Sequence, residues 1–571
     1  MAGEENSQRR SGALGRALWY RQVDHYPDTA PRVLYLAIVV LATIILYYQL
    51  YVPGAVAPQI LSQYHMSFHF YVDVTVVLNA IGAFTSVLAG LADRWGRANL
   101  VAYGLGITAL LTLFALPHAP NGWAFAVAFC AIGFVEGIIL VATPALVRDF
   151  SPQLGRASAM GFWTLGPVVG SLVVAEIASH TLGHLVAWQD QFTICGIVGI
   201  VVFLLALFFL RELSPKLRDQ LMVSMRDRAL IEARAQGIDV QAALRNPWRQ
   251  VVRPDVVLSA IAISVLLIIY YTAVGFNPIY FETNFGFSAS QANALGNWWW
   301  AADAIALIVV GILSDRLRVR KPFMIVGAVG SAVMTIIYLR DATAHHTSYY
   351  TLAWTVALLA VFTAIAFAPW MASFTETVER RNPALTAHGL AVWGWIIRAT
   401  VAISLFVLPY VVSATNALVE YGALGQRAIA IEKADPTVKI VLAHPALFAQ
   451  LAKYPPSKIP GPLLAKAIHE VGLKNLLAVA HDARIPHEVA FFTAHASQLH
   501  QVILASHAGP FQWQHWWWVC VVGELVFIPL VLLMSGRWSP RRAKKDEIEH
   551  DWQVEKELAA IEAARQPATA P

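Results

Sequence analysis

Charge is what this chain has least of. Of its 571 residues only 13% are Asp, Glu, Lys or Arg, while 57% are hydrophobic. A water-soluble chain carries about 25% charged residues, so an ordinary soluble domain is excluded. Cysteine is scarce too. Cys130, Cys195 and Cys520 lie in apolar stretches far apart in sequence, which argues against a disulfide framework or a metal cluster. No nucleotide-binding loop or nucleophile elbow occurs, and His487-Glu488 is followed by Val489, Ala490 and Phe491, so the zinc-hydrolase spacing fails. The chain therefore reads as no enzyme, with no cofactor and no metal. Residues 1–32 hold five arginines but no apolar core, and no signal peptide is expected. The outer insert carries seven histidines between His444 and His507, which read as scattered solvent side chains rather than a metal or pH-sensing site.

What is present is a series of apolar runs of about 20 residues, each long enough to cross a hydrocarbon core of about 30 Å. Twelve are expected, at 33–58, 71–92, 99–117, 122–147, 156–179, 190–210, 254–281, 293–313, 322–340, 349–374, 384–412 and 514–535. The fold class is all-α integral membrane: twelve transmembrane helices as two pseudo-symmetric six-helix bundles, with an external helical insert before the last helix. The divisions are a cytoplasmic N-terminal tail 1–32, an N-terminal bundle 33–210, a cytoplasmic connector 211–253 and helices 7–11 at 254–412. An extracytoplasmic insert 413–512, helix 12 at 513–536 and a cytoplasmic tail 537–571 follow.

Basic residues set the orientation. One set of loops carries Arg94/Arg97, Arg148/Arg156, the run from Arg211 to Arg253, Arg316 to Lys321 and Arg380/Arg381, whereas loops near 60–70, 117–121, 180–189 and 282–292 have no Lys or Arg. Both termini are expected in the cytoplasm and the chain in the cell membrane. The net charge of +5 follows from this asymmetry and implies no nucleic acid. Two tryptophan triplets, Trp298-Trp299-Trp300 and Trp516-Trp517-Trp518, are expected as interfacial belts.

Internal repetition organises the rest. Gly90-Leu91-Ala92-Asp93-Arg94-Trp95-Gly96-Arg97 joins two apolar runs, and Gly311-Ile312-Leu313-Ser314-Asp315-Arg316 does so again, its aspartate 222 residues after Asp93. Tyr47-Tyr48 answers Tyr270-Tyr271 at an offset of 223. A duplicated unit of this kind is a common plan of secondary transporters. Pro53, Gly54 and Pro58 follow the first tyrosine pair, and Gly275 and Pro278 the second. Both spans should bend near their outer ends and lie beside a wet path.

Ionisable residues at mid-bilayer cost about 3 kcal/mol each and need a reason. Glu136 precedes Arg148 by 12 residues and Asp303 precedes Asp315 by 12, so both sit about 18 Å above the inner boundary at about 1.5 Å per residue. Arg398 lies at similar depth. The three read as a central polar site in which Arg398 binds an anion through its donor fork and Glu136 or Asp303 carries a coupling proton. Trp395, one turn from Arg398, and Tyr47, Tyr48, Tyr270 and Tyr271 would complete a cage. A structural Asp303–Arg398 ion pair remains the alternative. Glu524 reads as a packing residue.

Asp93-Arg94-Trp95-Gly96-Arg97 resembles the signature loop between the second and third helices of the major facilitator superfamily, and Asp315-Arg316 resembles its poorer second copy. Gly166-Pro167-Val168-Val169-Gly170 looks like the family's fifth-helix Gly-Pro element. The arginine frequent in its fourth helix is missing, Phe129 standing in its place. The resemblance implies two bundles rocking about a central site, with Asp93, Arg94, Gly96, Arg97, Asp315 and Arg316 forming a cytoplasmic gate. It implies that Asp93 docks at the helix start marked by Asn382 and Pro383, while Arg94 and Arg97 pair with acidic groups on neighbouring helix ends. Trp395-Ile396-Ile397-Arg398 faintly resembles the eleventh helix of oxalate/formate-type exchangers. The expected function is secondary transport of a small organic anion with a proton, by a monomer whose partners are the substrate, protons and the lipid bilayer. The alternatives are a proton-driven drug or metabolite exporter and a non-transporting membrane sensor.

Overall fold

The computed structural model describes residues 18–85, 95–151, 163–184, 187–215, 217–218, 252–344, 347–379, 386–455, 458–534 and 536–542, with isolated positions between 544 and 559. Helices dominate. The first half contains α1 (Thr29–Ala55), α2 (Ala57–Tyr64), α3 (Phe68–Thr85), α4 (Arg97–Leu110), α5 (Gly122–Phe150), α6 (Gly166–Thr181) and α7 (Gln189–Phe209). The second contains α8 (Pro254–Leu266), α9 (Ile268–Phe285), α10 (Ala289–Leu317), α11 (Lys321–Asp341), α12 (Tyr349–Glu379) and α13 (Thr386–Val411). Seven short helices from Ala414 to Ala494 follow, the first being α14 (Ala414–Glu420), and then α21 (Ala496–Leu530).

Among the described residues ten helices are long and apolar enough to cross a membrane, α8 and α9 counting as one. The chain is thus a multi-pass membrane protein. The two expected spans outside that set are the fifth and the eighth. The described part of the fifth, α6, has 16 residues, its upstream end lying outside the described residues; the eighth, α10, is a helix of 29 residues. Capping explains where α10 begins: Ser288 accepts from the backbone of Gln291, whose side chain reaches back to Ser288. The last helix starts at Ala496 rather than near 514, so its upper part belongs to the segment expected as an insert. The short helices before it bury three small apolar clusters, centred on Ala428/Phe491, Val438/Ile485 and Ala467/Val471.

Where the halves meet, exchange symmetry is visible. α6 packs on α10 and α3 packs on α13; swapping the halves converts one pair into the other, as a duplicated unit requires. The seam is closed on the side away from the arginine-rich loops. There Asn293 donates to the Ala55 carbonyl at 2.9 Å, Ser290 to the Ser179 carbonyl at 2.5 Å, and Asn297 to Ser179 Oγ at 3.1 Å. The backbone N–H of His69 donates to Asn416 Oδ1 at 3.2 Å, and Phe68 meets Phe276 edge-on.

The two expected bends differ. In the first half the chain leaves helical geometry at Val56, between α1 and α2, with Pro58 in the first turn of α2. In the second half the break comes at Leu267, before the tyrosine pair, and Pro278 sits inside α9. Pro278 has no N–H for the carbonyl of Val274. That carbonyl faces α1 instead, 3.3 Å from where a Cβ on Gly54 would be. The tryptophan belts are also corrected. Trp299, Trp300, Trp516 and Trp517 are 5% exposed or less, and only Trp518 of the second triplet is open. Successive helical residues turn by about 100°, so three in a row cannot all face lipid.

Candidate functional site

The site is built from five helices at mid-height. α5 approaches α3 through three glycines. A Cβ on Gly133 would press on Leu78, and one on Gly137 would overlap Thr85 and lie 2.5 Å from the Gly82 carbonyl. This contact aims Glu136, between the two glycines, at α3: its Oε2 lies 3.3 Å from the Cβ position of Gly82. Glu136 is buried and makes no hydrogen bond or ion pair with a described residue. Phe129, where the family's arginine would stand, packs on Phe125 in the core.

Arg398 on α13 is the charged group that acts on Glu136, and it forms no ion pair within 4.0 Å with a described residue. Tyr47 is an electrostatic neighbour of Glu136, Tyr271 and Arg398 together. Its ring lies 5.4 Å from Tyr51, which neighbours Tyr270, Tyr271 and Glu136. Tyr270 stacks edge-on against Tyr271 and Trp300, each at 5.3 Å. Glu136, Arg398, Tyr47, Tyr270 and Tyr271 therefore converge.

Asp303 is the partial exception. It is buried on α10 beside Tyr270, and Arg398 is not among the groups acting on it. The alternative of an Asp303–Arg398 ion pair fails: the two side chains, both among the described residues, form no ion pair within 4.0 Å. Two members of the expected cage lie elsewhere. Tyr48 is buried against the seventh helix near Cys195, its hydroxyl unpartnered. Trp395 is 52% exposed with no ring partner among the described residues.

Tyr51, absent from the expected set, occupies the place given to Tyr48. Its signal was one helical turn from Tyr47 on the same face. Above the tyrosines a cavity of about 30 Å³ lies between the halves, lined by Tyr51, Ser171, Asn277, Asn293 and Trp300. That is room for one water, and Ser171 Oγ and Asn277 Oδ1 facing it have no partner.

At the arginine-rich end, Asp93 and Arg94 fall outside the described residues, as do Asn382 and Pro383. Gly96 has φ +89°, and a Cβ there would strike the Glu212 carboxyl, so only glycine fits. Arg97 makes a two-bond contact with Asp149 at the end of α5, at 2.8 and 2.7 Å, and its backbone N–H donates to Glu212 Oε2 at 2.7 Å. Burial raises the Glu212 carboxyl above its usual range, with the Arg97 backbone opposing. The second copy is more open. Asp315 and Arg316 are exposed, and Arg320 pairs with Asp315 at 2.7 Å and Glu376 at 3.2 Å.

With this geometry in hand, comparison with known proteins decides the family. A model described as Major Facilitator Superfamily matches residues 39–295 and 260–425. The chain belongs to that superfamily of membrane transporters. Among curated major facilitator relatives, it is 24% identical to Sugar phosphate exchanger 3 of Gallus gallus over 44% of this chain and 55% of that protein. It is 24% identical to Sialin of Ovis aries, covering 43% and 51%, and 25% identical to the Efflux pump radE of Floropilus chiversii, covering 48% and 54%. The chain spans about half the length of these relatives. Among solved structures, a bacterial homolog of the human lysosomal transporter Spinster, inward-facing and occupied, superposes with a TM-score of 0.56 at 16% identity, covering 88% of this chain and 97% of that one. A D-xylose-proton symporter gives 0.52 at 14%, covering 67% and 90%. At these identities the likeness establishes the major facilitator fold.

Proposed function

We propose that this protein is a secondary transporter that carries a small organic anion, a carboxylate, across the cytoplasmic membrane together with a proton. The observation that carries the reading is Arg398: a guanidinium at mid-depth with no ion pair to a described residue, next to Glu136, Tyr47 and Tyr271. A charge within a membrane span without a partner is costly, and a ligand carboxylate supplies one in bidentate form. Glu136, close enough to act on Arg398 but not bonded to it, holds the coupling proton. The substrate carboxylate and an ionised Glu136 compete for the field of Arg398, so a proton on Glu136 favours anion binding, which is the differential interaction an alternating equilibrium needs. Asp303, remote from Arg398, is the second proton carrier. Both chain ends lie in the cytoplasm, and the protein works as a monomer. The relative named for exchange of sugar phosphates, which are anions, supports the anion reading.

The test is uptake of labelled organic acids into right-side-out and everted vesicles. Arg398→Ala should cut anion transport about ten- to hundred-fold, since a hydrogen bond to a charged group contributes about 1.5–3 kcal/mol. Undiminished anion flux in that variant overturns the reading. A proton-driven exporter is the second reading. It rests on the close seat of α6 against α1, where a Cβ on Gly166 would press on Thr43 and one on Gly170 on Tyr47. It predicts flux of hydrophobic cations that is indifferent to Arg398→Ala.

A further inference from the structure

The outer seam contains a carboxyl that the reading above leaves unused. Glu282 lies near the end of α9, and Gln59 on α2 is the side chain that acts on it. The two helices belong to opposite halves and pack on each other. Gln59 Oε1 and Glu282 Oε1 are both buried and both without a partner. Two buried acceptor oxygens left bare on two packed helices call for a donor.

One proton satisfies both. An amide offers two donors and an acceptor, and a protonated carboxyl offers one donor beside its carbonyl. In such a pair Gln59 would give an N–H to one carboxyl oxygen, and the acid O–H on the other would return to Gln59 Oε1. An ionised Glu282 would instead leave a charge and a bare amide oxygen in the seam.

We propose that Glu282 carries a proton whenever the outer side is shut, making the Gln59–Glu282 pair a proton-operated seal between the halves. The O–H forms with a proton taken from outer water as the seam closes. It is returned to that water when the halves part and Glu282 becomes hydrated. Among the described residues no other charge acts on Glu282. Tyr51 on α1, Tyr64 on α2, Asp255 on α8, Asp303 on α10, Arg398 and Tyr410 on α13, Glu420 on α14, and His515 and Glu524 on α21 occupy the elements packed against α9. None of them acts on Glu282, which leaves burial and Gln59. Outer acidity therefore favours the closed outer side by linkage. This holds whatever the substrate is.

The experiment reads the seam directly and needs no substrate. Spin labels at Ser62→Cys and Tyr350→Cys, on exposed outer ends of the two halves, are placed in a chain with Cys130→Ala and reconstituted in vesicles. External pH is stepped from 8 to 5 with the interior held constant, so that groups reached from inside do not titrate. The distance between labels should shorten on acidification. Glu282→Gln, which keeps two hydrogen bonds to Gln59 without a titrating proton, should give the short distance at every external pH. Glu282→Met, suited to an apolar seam, should also lose the pH response and serves if the first variant is not recovered. A full pH response in either variant overturns the proposal.

Discussion

At the scale of single residues, the site is governed by what lacks a side chain as much as by what carries charge. Gly137 lets α5 lie so near α3 that any Cβ would overlap Thr85. Gly137→Ala should lower the thermal midpoint of the purified protein, because overpacking a close helix contact costs about 1–3 kcal/mol. It should also displace Glu136, so coupled transport should fall more than folding. A different residue-scale prediction concerns pH. In the segment of short helices, Asp482 accepts from Arg484 at 2.9 Å through the backbone and at 3.1 and 3.0 Å through the side chain. Arg484 holds the Asp482 carboxyl well below its usual range. A depressed acid stabilises the fold above the unfolded pKa, about 3.9 for aspartate, and that contribution is lost as pH falls through the folded value. Amide exchange in residues 473–494 should accelerate only below about pH 4. Arg484→Met should remove most of that acid response; an unchanged profile would refute the assignment.

Elements show how the N-terminal approach is tied to the bundle. Residues 22–23 form a short parallel pairing, Gln22 with Glu212 and Val23 with Leu213, across the ends of α4 and α7. Arg21 is 2% exposed and donates to Asn99 Oδ1 at 3.1 and 2.7 Å, and to the carbonyls of Ala98, Ala206 and Leu207 at 3.2, 2.9 and 3.1 Å. The last two are carbonyls at the end of α7, where a cation offsets the helix dipole. The strap thus joins the first residues of α4, next to Gly96, to the start of the connector at Glu212. Arg21→Ala should release it. The cost is about 3 kcal/mol or more, because several buried acceptors lose their donor at once. Limited proteolysis near residue 20 should become fast while the transmembrane helices stay intact. Little of this was legible in sequence. Arg21 sits among five arginines of a polar tail, and neither periodicity nor charge counting separates a buried arginine from a solvated one. Arg97, by contrast, was readable as a partner for a helix-end acid through its motif, and Asp149 is that acid.

For the whole molecule the decisive feature is the closed outer seam. It rests on contacts without slack: Gly54 against the Val274 carbonyl, Asn293 on Ala55, and Ser179 meeting Ser290 and Asn297. Gly54→Val should wedge the outer ends apart, since its branches have no room beside a backbone oxygen 3.3 Å away. The expected result is greater labelling of an Asn277→Cys reporter from outside and loss of net transport, with binding to the open side retained. Normal turnover in Gly54→Val would show that this contact does not belong to the closed state. The alternating equilibrium is then set by a few seam contacts that exist in only one of its states.

Composition, run length and the duplicated motifs determined the class and the two-half plan, and set an expected height for each charge within the spans. Height follows from residue count times helical rise, and no tertiary information enters it. Rotation about each helix axis was decided by packing alone. Neighbours in sequence differ by about 100°, so Tyr47 faces Glu136 and Arg398 while Tyr48 is turned to Cys195. The same freedom let three charges at one depth separate into an Arg398–Glu136 neighbourhood and an Asp303 apart from it. Which groups meet depends on the close approach of α3 to α5 and of α6 to α10, set by small residues whose partners are far away in the chain.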